Sequence, residues 1–439
     1  MRTAVLGAGI TGSVIARELA RRGDEVVVYE ASPVVGGLVA SHEVAGTPIE
    51  VFYHHIFTHE THIRELIEDV GVGDKLEWLP SSVGILNDGG RLYPFTTPRD
   101  LLAYDPMPLK DRVRMGAVGM LAPHVSDWKR LDDVSAYDWV EKRMGKAALE
   151  TIWDPMLRVK WGEVYKEVPA AWLWARLSQR ARSRSKKGSG ELLGYLRGGF
   201  RQLYDALAHD LEARGVKVLL DTKVDRIETE GQKVRGVTAA DATEDFDRVV
   251  STLPVPVFAE ITGGLPDAYL SRLDAVEYMW VFCTTVTMTR SLSPVYWLNV
   301  ADRSIPFGAY IEHTRLLPTA DYGDQHVAYL GRYFAPPSYS DEARRLAEAD
   351  PDELSEEWLG HLAKIDPEYD RSMITSIQPA RTAYAAPLIR VGHNKRRLPF
   401  STPVDGLWLA TMAQIYPDDR GQSEGVRLGL DCVDTVCAG

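Results

Sequence analysis

An α/β fold is predicted for this chain: a parallel-sheet domain built from three separated segments, interleaved with an antiparallel-sheet domain and a helical insertion. Three stretches predict it. Residues 3–37 read as strand, glycine turn, helix and second strand. Residues 195–255 restart with a glycine turn, a helix and strands, and residues 404–436 return with an apolar strand, a loop and a final helix. With 439 residues the chain is too long for one ordinary core, so two interleaved domains are expected. The parallel-sheet domain is assigned residues 1–94, 195–255 and 399–439, the mostly helical insertion 95–194, and the antiparallel-sheet domain 256–398.

The first element justifies itself residue by residue. An apolar strand at 3–6 leads into Gly7-Ala8-Gly9-Ile10-Thr11-Gly12, a helical run at 13–22 and a second strand at 25–29 that ends on Glu30. A G-x-G-x-x-G between strand and helix, with an acid about twenty positions on, is a dinucleotide-binding fingerprint. Gly7 allows the tight turn, Gly9 lets a pyrophosphate approach the backbone, and Gly12 lets the helix pack on the strand. Ile10 and Thr11 open that helix, whose positive N-terminus is where a pyrophosphate sits. Glu30 suits an adenosine ribose, and its charge argues against a 2′-phosphate there.

Ala31 to Leu38 extend the pattern to E-x5-G-G through Gly36-Gly37. This resembles the FAD-binding start of the flavoprotein superfamily that includes amine oxidases, protoporphyrinogen oxidase, phytoene desaturases and UDP-galactopyranose mutase. The resemblance implies a Rossmann-like, glutathione-reductase-type domain with FAD, rather than NAD, as cofactor. Ala31, Gly36, Gly37 and Leu38 would then run beside the cofactor. Gly198-Gly199, the amphipathic helix after it and residues 222–227 resemble the segment whose backbone, at the position of Val224, holds the adenine. The closing strand, loop and helix carry Gln414, Tyr416, Asp419, Gly421, Ser423 and Gly425, and resemble the segment that aims a helix N-terminus at the flavin pyrimidine ring. Free amides and the helix dipole suit the charge that ring gains on reduction.

Between these segments, residues 38–51 suggest a hairpin around Gly46-Thr47-Pro48, and 61–71 a helix. Short strands are expected at 75–79, 82–86 and 91–94, the last two joined at Asp88-Gly89-Gly90. Residues 233–239 and 245–251 are expected as two further strands, and 278–289, 296–300, 307–312 and 325–334 to form the antiparallel sheet, with helices at 340–349 and 351–365. The unusual stretch is Phe52-Tyr53-His54-His55-Ile56-Phe57-Thr58-His59. Its histidines lack companions at metal-ligand spacing, so no metal is assigned. It is either a core strand with capping histidines or a loop lining a flavin, and His55-Ile56-Phe57 resembles the H-I-F of the loop that UDP-galactopyranose mutase lays beside its flavin.

Composition limits the function. A formal net charge of −12 argues against nucleic-acid partners. The three cysteines, Cys283, Cys432 and Cys437, are widely spaced, which fits a reduced cytoplasm. No signal peptide or membrane span is expected, although a peripheral membrane contact fits the sequence. Residues 176–188 form a basic run, read either as a solvated helix end or as a patch for an anionic substrate or lipid surface. The oligomeric state is left open.

If a flavin carries the chemistry, the polypeptide positions the substrate and tunes the ring. His54, His55, Arg381 and Tyr384 are the candidate catalytic residues, the last two from Gln378 to Pro387, a segment that resembles the one presented to the flavin face. Further candidates for a diphosphate or leaving group are Arg158, Arg176, Arg332 and Arg420, with Tyr310, Tyr329 and Tyr416. The expected activity is FAD-dependent removal of a hydride from a C–H or C–N bond of a small polyfunctional or glycosylated metabolite, with a diphosphate-bearing substrate among those that fit. Two alternatives stand beside it: a redox-neutral UDP-sugar pyranose/furanose mutase, and a flavin-binding module without catalysis.

Overall fold

The computed structural model describes residues 1–183 and 191–438. Its parallel sheet runs Lys217–Leu219, Glu25–Tyr29, Arg2–Leu6, Arg248–Ser251, Leu407–Leu409, every neighbouring pair parallel. Ala4, Val5, Leu6, Val26, Val27 and Val28 are all buried, as expected for strands covered on both faces. Helix Ile10–Arg21 and the C-terminal helix Gln422–Ala438 pack on one side through Ile15, Leu19, Val433 and Val436. The two ends of the chain thus meet beside the glycine turn.

A seven-stranded sheet forms the second layer. Its order is Ile374–Pro387, Tyr278–Met288, His326–Phe334, Ala309–Glu312, Trp297–Val300, Val83–Leu86, Leu92–Pro94. All pairs are antiparallel except Trp297–Val300 with Val83–Leu86. Helices Asp341–Glu348 and Pro351–Leu359 cover one face, where Trp358 packs edge-on to Phe282 at 4.9 Å. The helices Pro98–Ala103, Leu109–Leu121, Ala136–Met144, Asp154–Trp161 and Ala170–Ser183 share a core of Met144, Leu157, Trp161 and Trp172. No helix among the described residues is long and apolar enough to cross a membrane.

Three expectations about elements are corrected. Leu192–Leu196, placed at the end of the helical region, is a strand pairing with Ile56–Phe57 and Leu76–Pro80. The strand expected over 245–251 divides: Ala242–Asp245 pairs with Lys233–Ala239, while Arg248–Ser251 crosses into the parallel sheet. Ile374–Pro387 is one 14-residue strand, where only a flavin-facing segment was expected. Of the basic run, Arg184, Ser185, Lys186, Lys187 and Gly188 lie outside the described residues.

Candidate active site

The glycine turn has the geometry of a phosphate cradle. Gly7 sits at φ 99°, a conformation that favours glycine, and its N–H donates to Tyr29 O at 2.8 Å. A Cβ on Gly12 would lie 1.9 Å from Gly7 O, so any larger residue would push the helix off the turn. Gly9 faces open space, with nothing within 4 Å of where its Cβ would be. Thr11 Oγ1 donates to Gly425 O at 3.1 Å, tying the two helix N-termini together. The Gly36 N–H donates to Ala8 O at 3.0 Å, which brings Gly37 against Gly9. Ala31 is exposed and Leu38 half-buried on the same loop.

Glu30 stands at the end of its strand, where its carboxylate accepts the Ala8 N–H at 2.7 Å and the Ser32 N–H at 2.8 Å. It therefore holds the glycine turn against the end of its own strand. Val224 is buried at the start of its strand, its backbone paired with Ala239.

At the C-terminal helix, Ser423 and Gly425 are buried, and Gly421 is exposed just before them. A Cβ on Gly425 would lie 2.5 Å from Ile10 Cγ2, so glycine is needed for the two helices to meet. Gln422 accepts the Tyr204 hydroxyl at 3.0 Å through Oε1, but its Nε2 is buried without a partner. An orphaned donor at a helix N-terminus, beside a cradle that only glycines allow, fits a flavin dinucleotide.

Gln414 and Tyr416 are not brought to this cradle. The Gln414 amide donates to Pro399 O and Leu409 O and accepts the Thr411 N–H, stapling the loop. Tyr416 reaches away to Asp132 and packs against Trp128 and His393.

Asp419 anchors a half-buried charge cluster. Its Oδ2 lies 3.3 Å from Lys160 Nζ and 3.0 Å from Arg176 Nη1, and Arg420 Nη1 lies 3.7 Å from Oδ1. Burial pushes the Asp419 carboxyl up, but Lys160, Arg176 and Arg420 outweigh it and hold the group well below its usual range. Arg420 Nη2 donates to the Tyr333 hydroxyl at 2.7 Å, and Lys160 Nζ stands 4.6 Å above the Tyr333 ring. Burial alone would raise the Tyr333 phenol; the Arg420 and Lys160 charges bring it below its ordinary value. Three cations face the Asp419 carboxylate here, while burial raises the neighbouring Glu60 and Glu424 to about 8 and about 7.

The histidine stretch forms the adjoining wall. His54 Nδ1 is 2.6 Å from Phe52 O, and His55 Nδ1 is 3.2 Å from the Tyr296 hydroxyl. Burial drives both imidazoles down, to about 4 for His54 and about 3 for His55, with neighbouring cations adding to the effect. Both are neutral at physiological pH. Tyr53 packs edge-on to Trp297 at 5.0 Å and fills the notch left by Gly331 between Tyr329 and Tyr333.

Arg381 does not reach this cluster. Its guanidinium donates to Leu346 O and Ala349 O at 3.0 and 2.8 Å, capping the end of helix Asp341–Glu348 on the far face of the sheet. Tyr384 packs edge-on to Tyr278 at 5.4 Å, beside the core of the nucleotide domain. Arg158 pairs with Asp154, Arg332 with Glu342, and the Tyr329 hydroxyl with Glu50 O. Of the further arginine candidates, Arg176 and Arg420 take part.

Lys160 and Tyr333 were not singled out from sequence. The signals were faint: Tyr329-Leu330-Gly331-Arg332-Tyr333 puts two tyrosines and a glycine on one strand face, and Lys160 interrupts the buried pair Leu157 and Trp161.

Comparison with known proteins decides the family. The profile described as flavin containing amine oxidoreductase matches residues 10–418. The chain belongs to this family.

Membership of this flavin-containing family makes FAD the chain's cofactor. It is 25% identical over 330 residues to a zeta-carotene desaturase of Synechocystis, a match covering 68% of this chain and 66% of that protein. The match therefore spans just under two thirds of that relative's length. It is 24% identical over 368 residues to a 15-cis-phytoene desaturase of Synechococcus elongatus, covering 76% and 75%. A cyclohexylamine oxidase from Brevibacterium oxydans shares the fold, with a TM-score of 0.73 and 17% identity over 100% of this chain and 98% of that one.

Proposed function

We propose that this enzyme oxidises a small, anionic, polyfunctional or glycosylated metabolite by removing a hydride from a C–H bond next to oxygen or nitrogen. The observation that carries the proposal is the half-buried cluster of three cations, Lys160, Arg176 and Arg420, around the carboxylate of Asp419. Such a cluster binds carboxylate or phosphate and repels a protonated amine. FAD, when bound, supplies the hydride acceptor.

The chain's own groups divide the remaining work. Arg176 and Arg420 bind the anionic end of the substrate, with Asp419 holding their orientation. Tyr333 Oη, whose phenol Arg420 and Lys160 bring below its ordinary value, takes the substrate hydroxyl proton as the hydride leaves carbon. His55, Tyr53 and Trp297 form an apolar-faced wall that keeps water out. The N-terminus of Gln422–Ala438 supplies positive potential for the charge that reduction places on the cofactor.

One other activity uses the same cluster. Arginines for a diphosphate and a tyrosine for a leaving group also suit a redox-neutral UDP-sugar mutase. Incubating the purified enzyme with UDP-sugars, with and without dithionite, separates the two. Turnover only after reduction, with no electron acceptor consumed, rules out net oxidation. Substrate-dependent bleaching of the oxidised flavin supports it. A yellow protein that neither bleaches nor converts any substrate is a binding module instead.

A further inference from the structure

Large apolar side chains exposed on this molecule are concentrated in one place. Of ten such residues among those described, six are Leu102, Leu109, Val113, Met120, Leu121 and Val125. Five of the six sit on helices Pro98–Ala103 and Leu109–Leu121. At about 100° per residue, Leu109, Val113 and Met120 fall within about 40° of one another, forming a single stripe. Their exposures are 59%, 55% and 70%, whereas Asp111 and Met115 on the opposite face are buried. The two helices are joined by the Arg112 guanidinium, which donates to Leu102 O, and by Leu101 lying over Gly116. Leu102, 49% exposed, thus extends the stripe onto the first helix.

The rim of the stripe is cationic. Arg99, Lys110 and Lys129 are exposed and form no ion pair among the described residues. In a chain of net charge −12, an apolar stripe edged by free cations is complementary to an anionic, apolar-cored surface. We propose that helix Leu109–Leu121 is a docking surface for an anionic lipid bilayer. It lies in the interface plane, with Leu109, Val113 and Met120 entering the acyl boundary and Lys110 and Lys129 meeting the headgroups. A second copy of the chain fits less well, because a two-fold contact would bring the same cationic rim together from both sides.

The test is co-sedimentation of the FAD-loaded enzyme with vesicles of phosphatidylcholine, or of phosphatidylcholine with phosphatidylglycerol. Binding is expected to be at least tenfold stronger on the anionic vesicles and to weaken in high salt. It should fall at least tenfold in the double variant Val113→Ser/Met120→Ser and several-fold in Lys110→Glu/Lys129→Glu, with flavin content unchanged in both. These positions are solvent-facing, and retained flavin absorbance reports that each variant has folded. Vesicle binding that survives in the Val113→Ser/Met120→Ser protein would overturn the proposal. So would a dimer that dissociates in that variant, without vesicle binding by the parent protein; that result assigns the face to a second copy.

Discussion

The Tyr333 hydroxyl accepts a hydrogen bond from Arg420 Nη2 at 2.7 Å, under a lysine ammonium 4.6 Å from its ring. The bond joins the seven-stranded sheet to the loop that precedes the C-terminal helix. Removing the hydroxyl tests its proton-transfer role. Tyr333→Phe is expected to lower kcat by about 10²–10⁴-fold, the usual range for a general base. The acid limb of the pH–rate profile should vanish while KM and flavin content stay near those of the parent. A loss confined to KM assigns Tyr333 to binding.

Asp419 is the counter-charge for three cations, so Asp419→Asn leaves them facing one another with reduced contact to water. Breaking a buried pair from one side costs about 3–5 kcal/mol. Urea unfolding at neutral pH should show a loss of that order. Added phosphate should recover part of it by replacing the missing anion.

Gly12→Ala places a methyl group where Gly7 O lies 1.9 Å away. The turn must open, and the cradle for the pyrophosphate is lost. The purified variant is expected to lack visible flavin absorbance while its far-ultraviolet circular dichroism stays near that of the parent.

Acid stability follows from the buried histidines. In the unfolded chain His54 and His55 bind protons below about 6.5, whereas the folded protein keeps them neutral down to about 4 and about 3. Their contribution to stability is complete above pH 6.5 and is lost as pH falls, at about 1.4 kcal/mol per pH unit for each. Glu50 has the opposite sign. Burial raises it to about 7 although the Tyr195 hydroxyl and the Phe200 N–H hold it, so its contribution is complete below about 4.5 and is lost as pH rises toward 7. For these three groups, stability between pH 4.5 and 6.5 should rise with pH in the parent, rise more steeply in Glu50→Gln, and fall with pH in His54→Gln/His55→Gln.

The sequence made the cofactor end legible because its signals are local. Gly7, Gly9 and Gly12 answer to backbone geometry within one turn, and Gly36-Gly37 and the final helix are contiguous motifs. The reaction end was only partly legible, because Lys160, Tyr333 and Arg420 come from three distant segments and meet through tertiary packing alone. Arg381 shows the limit most clearly. Its segment reads as a flavin-facing stretch, yet it lies inside a 14-residue strand interrupted by Pro379, and the pleat turns the guanidinium toward the carbonyls of helix Asp341–Glu348. Gln414 and Tyr416 likewise sit in the expected motif, but their side chains bond to the loop itself and to Asp132.

The most direct test of the account is anaerobic stopped-flow reduction of the bound flavin by matched hydride donors bearing a carboxylate, a phosphate, no charge or an ammonium group. The anionic donors are expected to bleach the flavin, and Arg420→Gln to weaken their apparent affinity by at least tenfold. Bleaching by amines alone, at a rate unaffected by Arg420→Gln, would contradict it.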